Sequence, residues 1–198
     1  DIDDNGVIDE KDRTYLGNPE PKFSYGFNNS FSYKGFDLNI FINGVYGNKV
    51  VNMLRKEFTN PMNNSGMLKE AVELIDPSQP TTLSNVYVSN AGSAQVQRIT
   101  AANANDNNRM SSRFVEDGSY LRIKNISLGY TFPKKWISKL NIDNLRVYMN
   151  IQNAFTFTKY KGYDPEVGAY NYDVLTRGID NARYPSQRIY TFGLNLSF

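Results

Sequence analysis

The sequence predicts an all-β protein, an antiparallel up-and-down transmembrane β-barrel whose long outer loops carry short helices. Three observations predict it. Residues 187–198 alternate apolar and polar side chains almost without error, and a strand sends successive side chains to opposite faces. The connections between alternating stretches run short, long, short, long, as an up-and-down barrel in one orientation requires. Aromatic residues are abundant, with 14 Tyr and 12 Phe, although mean hydropathy is only −0.53. Half-polar strands keep hydropathy low, and aromatic excess suits the girdles at the two membrane interfaces.

Composition removes most other classes. The chain has 198 residues and a net charge of +2, which leaves no electrostatic footprint for nucleic acid. No run approaches the roughly 18–20 apolar residues that a spanning helix needs. Cysteine and histidine are absent, so disulfides, Cys/His zinc sites and Ser–His–Asp or Cys–His catalysis are not available within these residues. Nothing here points to an enzyme. The sequence begins at Asp1, with neither an initiator Met nor a signal peptide. An exported protein must have carried one, and the expectation is a processed chain or a fragment.

Residues 1–22 are expected to form an acidic, calcium-like outer loop. Asp1, Asp3 and Asn5 place oxygens at loop positions 1, 3 and 5, and Gly6 allows a sharp turn. The Val7 carbonyl, Asp9 and Asp12 fall at positions 7, 9 and 12. This is EF-hand spacing, with Ile8 at the usual apolar position and Asp12 where a bidentate Glu is usual. Two readings stay open: a calcium site and a solvated acidic turn.

Gly17, Pro19 and Pro21 then break regular structure. Phe23, Tyr25, Phe27, Phe31 and Tyr33 alternate with Ser24, Gly26, Asn28, Ser30 and Ser32. That predicts a strand over residues 23–33, the length of a tilted membrane-crossing strand. Lys34 and Gly35 make a two-residue hairpin turn. The return strand, 36–47, carries Phe36, Leu38, Ile40, Ile42 and Tyr46 opposite Asp37, Asn39 and Asn43.

Residues 49–112 change character. The pattern predicts a helix over 49–59 and another over 67–75 capped by Ser65 or Gly66. Pro77, Pro80 and an Asn-rich run at 103–108 argue for irregular chain. About sixty residues without strand periodicity are unusual in a compact domain and ordinary in a barrel's outer loop. Strand character returns at 120–132, where Ile126, Leu128, Tyr130 and Phe132 share a face. Upstream the phase inverts, with Leu121 and Ile123 apolar against Arg122 and Lys124. That inversion predicts either a strand leaving the membrane or a bulge near Lys124.

Residues 133–143 form a short turn whose Trp136 suits a membrane interface. Leu145, Val147, Met149, Ile151, Phe155 and Phe157 alternate with Arg146, Tyr148, Asn150, Gln152 and Thr156, predicting a strand over 145–157. In the closing strand, 188–198, Arg188, Tyr190, Phe192, Leu194, Leu196 and Phe198 share one face. Gln187, Thr191, Gly193, Asn195 and Ser197 share the other, with Ile189 the apolar exception. A soluble sandwich strand with its apolar face inward shows the same pattern. An apolar last strand closing on Phe resembles the last strand of outer-membrane β-barrels, which the assembly machinery reads as a signal, and that resemblance implies Phe198, Leu196 and Leu194 as the candidates for it. The domain expectation is therefore the acidic loop, 1–22, followed by barrel strands, 23–198, with extracellular loops at 48–118 and 158–186.

Several phrases resemble the SusC/RagA family of TonB-linked outer-membrane transporters. They are D-R-T with G-N-P-x-P, F-S-Y-G-F-N-N-S-F-S-Y-K-G-F-D-L and R-F-V-E-D-G-S-Y-L-R-I-K-N-I-S-L-G-Y. L-R-V-Y-M-N-I-Q-N-A-F-T-F-T-K-Y-K-G-Y-D-P-E and Y-P-S-Q-R-I-Y-T-F-G-L-N-L-S-F complete the set. The resemblance covers nearly the whole chain and is weakest over 50–108. It implies that these residues are the carboxy-terminal five strands of a much larger plugged barrel, a size class of about 22 strands. The remainder of barrel and plug must then be supplied, because five strands leave two open edges in lipid.

The resemblance further implies TonB-energised import of large nutrients, oligosaccharides or peptides, across the bacterial outer membrane. A SusD-like surface lipoprotein would act as lid, and TonB would engage the missing amino-terminal part. No bond chemistry is implied. Tyr160, Tyr163, Asp164, Tyr170 and Tyr172 are the candidate substrate or lid contacts, since Tyr faces stack on sugar rings and offer a hydroxyl. The competing reading is a secreted calcium-dependent carbohydrate-binding β-sandwich, which the two-faced strands and loop alternation disfavour.

Overall fold

A computed structural model describes residues 1–60, 62, 66–72, 106–168 and 176–198. Its main feature is one five-stranded antiparallel sheet. The strands are β1 (Phe23–Tyr33), β2 (Phe36–Tyr46), β5 (Tyr120–Thr131), β6 (Asn144–Thr158) and β8 (Ile189–Ser197), in the order β1-β2-β5-β6-β8. Each strand of this sheet pairs with the next one along the chain, the up-and-down arrangement that the sequence predicts. Their bounds lie within a residue of the alternating stretches. Lys34 and Gly35 make the first turn with φ of 46° and 90°, the left-handed pair that a tight hairpin needs.

The register explains the phase inversion. Phe41 pairs with Asn125 and Ile42 with Ile123, so Lys124 is skipped between β2 and β5. Across the other ladder Asn125 pairs with Gln152 and Ile123 with Phe155, so β6 carries one residue more again. Asn153 takes the strained position there, with φ of 51°. A bulge residue is unpaired and flips the phase beyond it. Leu121 and Ile123 therefore return to the face of Ile126 and Leu128, while Arg122 joins Asn125 and Ser127. The bulge near Lys124 is present, and the strand does not leave the sheet there.

The resulting sheet has two unlike faces. Leu38, Leu128, Met149 and Phe192 stand opposite one another in a single row of the outer face, and Ile40, Ile126, Ile151 and Tyr190 form the next. Aromatic rings gather at its two ends. Phe23 stacks on Tyr46 at 5.4 Å at one. At the other, Phe36 meets Tyr130 at 4.5 Å, and Phe132 lies between Tyr130 and Trp136 at 5.0 and 6.4 Å. The inner face carries Ser30, Asn39, Ser127, Asn150 and Thr191. The outer side chains are not a covered core: Phe27 is 60% exposed, Phe192 74% and Leu194 60%. A soluble domain does not leave so wide an apolar face uncovered, and no second sheet packs on it among the described residues. The sandwich reading fails on this point.

A small second sheet sits at the end bearing the long connections. Its strands are β3 (Lys49–Asn52), β4 (Val115–Asp117) and β7 (Ile179–Asp180), in the order β4-β3-β7. This corrects two expectations. The predicted helix over 49–59 is half strand: helix α1 spans only Met53–Phe58, and Asn52 caps it by accepting the Arg55 N–H at 2.8 Å. The excursion also begins and ends in strand, in segments too short for periodicity to reveal. Of the second predicted helix, α2 is Lys69–Val72; Ser65 and residues 73–75 lie outside the described residues. The 133–143 turn holds a further short helix, α3 (Lys134–Ile137). Buried side chains concentrate around the small sheet, where Val50, Phe114, Asn52 and Thr59 are 0–1% exposed.

Candidate functional site

The inner face at the long-loop end is where charge collects. By placing Arg122 inward, the Lys124 bulge sets a guanidinium beneath the 160–186 connection. Arg122 Nη2 donates to Asp164 Oδ1 at 2.5 Å, Nη1 to Glu166 Oε2 at 2.8 Å and Nε to Thr156 Oγ1 at 2.9 Å. Lys124 Nζ lies 3.5 Å from the other oxygen of Glu166. The Asp164 carboxylate also accepts the backbone N–H groups of Glu166 and Ser186, at 2.9 and 2.8 Å. Burial pushes its carboxyl up, but those two N–H groups, the Ser186 side chain and Arg122 outweigh burial and hold it below the ordinary 3.8.

A cleft of about 640 Å³ opens between this wall and the loop, lined among others by Tyr120, Lys124, Glu166, Arg177 and Arg183. Arg177 closes one side by donating to Glu20 at 2.6 Å. The cleft thus mixes charged side chains with the Tyr120 ring, prolines and valines.

The predicted contact residues divide. Tyr160 is 6% exposed, and its hydroxyl donates to Asp180 Oδ2 at 2.5 Å. Burial first, and the Asp180 carboxylate second, push that hydroxyl far above its usual pKa, so it stays protonated. Asp164 is 8% exposed with both oxygens engaged. These two fasten the loop from within and present little surface. Tyr163 is 62% exposed. Tyr170 and Tyr172 lie outside the described residues.

Three carboxylates of the acidic loop come close enough together to share a cation. Carboxylate oxygens of Asp1, Asp3 and Asp12 lie within 4.8 Å of one another. Gly6 makes the turn at φ 81°. Asp1 accepts the N–H groups of Asn5 and Gly6, and Asn5 accepts that of Val7. The N–H groups of Ile2 and then Asp9 hold the Asp12 carboxyl below its ordinary value, in the ionised form that a metal requires. Asp9 stands apart, since its side chain caps a 3₁₀ turn at Glu10–Asp12 by accepting the Lys11 N–H. Three carboxylates of the expected set therefore fit a hard cation, and Asp9 as placed does not.

In the closing strand, Leu194 pairs with Val147 and Leu196 with Leu145, both outward, and Phe198 stands one residue past β8, 82% exposed. In the sequence Arg122 and Lys124 read only as polar positions beside a phase break, and nothing singles out Glu166. The available signal was an arginine placed inside a strand next to a phase break.

No family model matches the sequence. Relatives nevertheless align along its length. It is 36% identical to TonB-dependent receptor P3 of Formosa agariphila, over 100% of this chain and 18% of that protein. It is 28% identical to TonB-dependent receptor SusC of Bacteroides thetaiotaomicron, over 98% of this chain and 17% of that protein. The solved RagAB peptide importer in its closed-closed state superposes with a TM-score of 0.67 at 25% identity, over 91% of this chain and 18% of that one. The chain thus spans less than a fifth of the proteins it matches. One uncovered apolar face, one polar face, an up-and-down strand order and end-to-end likeness to these receptors agree, and the chain belongs to the SusC/RagA family of outer-membrane β-barrel proteins.

Proposed function

We propose that these residues are part of the wall of a TonB-dependent outer-membrane importer of large nutrients. The observation that carries the reading is the two-faced sheet with a fastened cleft, lined by charged and apolar side chains, at its long-loop end. The outer face meets lipid, and the inner face lines the path. The long connections, with residues 1–22, lie outside the cell, and the short turns face the periplasm. Substrate is bound, released and moved, with no bond made or broken by this chain.

Oligosaccharides and peptides are both within reach of the cleft, and the name of the RagAB relative, a peptide importer, supports peptides as one class. The exposed Tyr163 ring, together with Tyr170 and Tyr172, is the contact for substrate or for a SusD-like lipoprotein lid. Asp1, Asp3 and Asp12 hold a calcium ion that orders the turn before Gly17. Leu194, Leu196 and Phe198 form the apolar stretch read by the insertion machinery.

The test uses the full-length gene in its host. Deleting it, or inactivating TonB, is expected to abolish growth on one class of oligosaccharide or peptide as sole nutrient. An affinity tag on the full-length protein is expected to retrieve a surface lipoprotein. Unchanged uptake of every nutrient tried in both strains would overturn the reading. Calorimetry with millimolar calcium tests the loop separately, and absence of heat would remove the ion while leaving transport standing.

A further inference from the structure

Arg188 has no role in the transport path, because it points the other way. It precedes β8 by one residue and shares the phase of Tyr190, which pairs with Ile151 on the outer face. Its guanidinium lies 5.4 Å over the ring of Phe155. Phe155 is itself outward, opposite Ile123 and 51% exposed. Register and ring contact therefore agree on direction. The side chain stands near the long-loop end of the apolar band, on a ring that only the outward Phe157 follows along β6.

Its hydrogen bonding is nearly empty. Nε donates to the Asn153 carbonyl at 3.5 Å, and among the described residues no carboxylate pairs with the two terminal nitrogens. Lys159 follows one residue past the end of β6, two residues after the outward Phe157, and is exposed. The Asp117 carboxylate accepts the Ser119 hydroxyl and N–H at 2.6 and 3.0 Å, and Lys49 and Lys159 also act on it through space.

We propose that Arg188 binds the phosphate of an outer-leaflet lipid headgroup, with the exposed Lys159 as a second cation. A guanidinium offers a planar fork that matches phosphate bidentately and sheds water more readily than an ammonium. Stacking on Phe155 fixes its plane before the lipid arrives, which lowers the ordering cost. The inference rests on the orientation proposed above, with the long connections outside.

The experiment measures lipid retained by the purified full-length protein in native mass spectrometry. The probes are phosphorylated lipid A, the same lipid after phosphatase treatment, and millimolar inorganic phosphate as competitor. Unaltered protein is expected to retain the phosphorylated lipid about tenfold more than the dephosphorylated one, a difference of about 1.4 kcal/mol. Arg188→Gln is expected to erase that preference and Arg188→Lys to keep part of it, with folding checked by heat-modifiable gel mobility. Equal retention of both lipids by unaltered protein, or a preference unchanged in Arg188→Gln, would overturn the proposal. Complete displacement by inorganic phosphate would reassign the site to free phosphate and equally overturn it. Labelling of Tyr163→Cys on whole cells reports the orientation independently, so a failed lipid site is distinguished from a wrong orientation.

Discussion

Two arginine–carboxylate pairs stand on the inner face, one toward each end of the sheet, and they are held very differently. At the long-loop end Arg122 is 2% exposed and Asp164 8%. At the short-turn end Arg146 reaches Asp37 through Nε at 3.1 Å and Nη2 at 2.6 Å, a bidentate pair, yet the two side chains keep 27% and 42% of their exposure. The first pair ties a loop to a strand 42 residues away. The second joins strands that are already hydrogen-bonded along their length through β5. Similar chemistry therefore does different work. Where backbone ladders hold the wall, an ion pair adds little; where the ladder stops, a buried pair is the fastening.

The largest expected effect breaks the fastening. Arg122→Ala leaves the Asp164 carboxylate buried without its cation, and losing one partner of a buried pair costs about 3–5 kcal/mol. The cost should fall on the loop. Hydrogen exchange in full-length protein should rise in residues 161–168 and 176–186 while β1 and β2 keep their protection. Acid should reproduce it. The folded pKa of Asp164 lies below its unfolded 3.8, so its contribution is complete above about 3.8 and is lost as pH falls through the folded value. Exchange that rises equally in wall and loop would erase the contrast between them.

The second effect asks where the wall keeps its stability, if not in ion pairs. Leu128 and Ser127 are neighbours at one depth on opposite faces. Leu128→Arg puts a charge on the lipid side, one row inside the aromatic end, and should cost about 1–2 kcal/mol, between the midplane and interface values. Ser127→Arg, facing the polar interior, should cost far less. Urea unfolding of full-length protein in lipid vesicles measures both, and equal losses would deny that the two faces have different solvents.

The same division decided what was legible. The wall strands follow a period of two, and that period is set by the solvents on their two faces, so alternation located all five and the Lys124 phase break located the bulge. The fastening has no period. Tyr160 and Asp180 are twenty residues apart, and Asp164 reaches Arg122 across a turn, a loop and two strands. No local pattern announces such pairs. A tyrosine and an aspartate in a loop read as surface residues because their type is usually exposed, and only the fold shows their partners. β3, β4 and β7, of four, three and two residues, are likewise fixed by tertiary contacts rather than by their own sequence.

A third effect tests the loop end by a neutral route. Tyr160→Phe keeps the ring in place and removes the hydroxyl that Asp180 accepts. Asp180 is 2% exposed and keeps only the Arg183 N–H at 3.1 Å from this set. An unsatisfied buried acceptor costs about 1–3 kcal/mol. Limited proteolysis after residue 160 should speed up accordingly. An unchanged rate would mean that the Arg122 pair alone holds the loop.

The smallest effect belongs to the exposed pair, and it sharpens the comparison most. Asp37→Asn keeps the side chain's shape and one hydrogen bond to Arg146 while removing the charge. For a pair this open to water the expected loss is about 0–1 kcal/mol. Gly129 gives an independent check. It lies between the partners, pairing with Asp37 on one side, and an added methyl would stand 2.6 Å from Asp37 Oδ1 and collide with the Arg146 fork. Gly129→Ala must therefore expel the pair into the interior water. If ladders carry the wall, both variants melt close to unaltered protein, because the displaced side chains are long, polar and free to swing aside. A loss above about 2 kcal/mol in either would mean that the wall, too, is fastened by its charges.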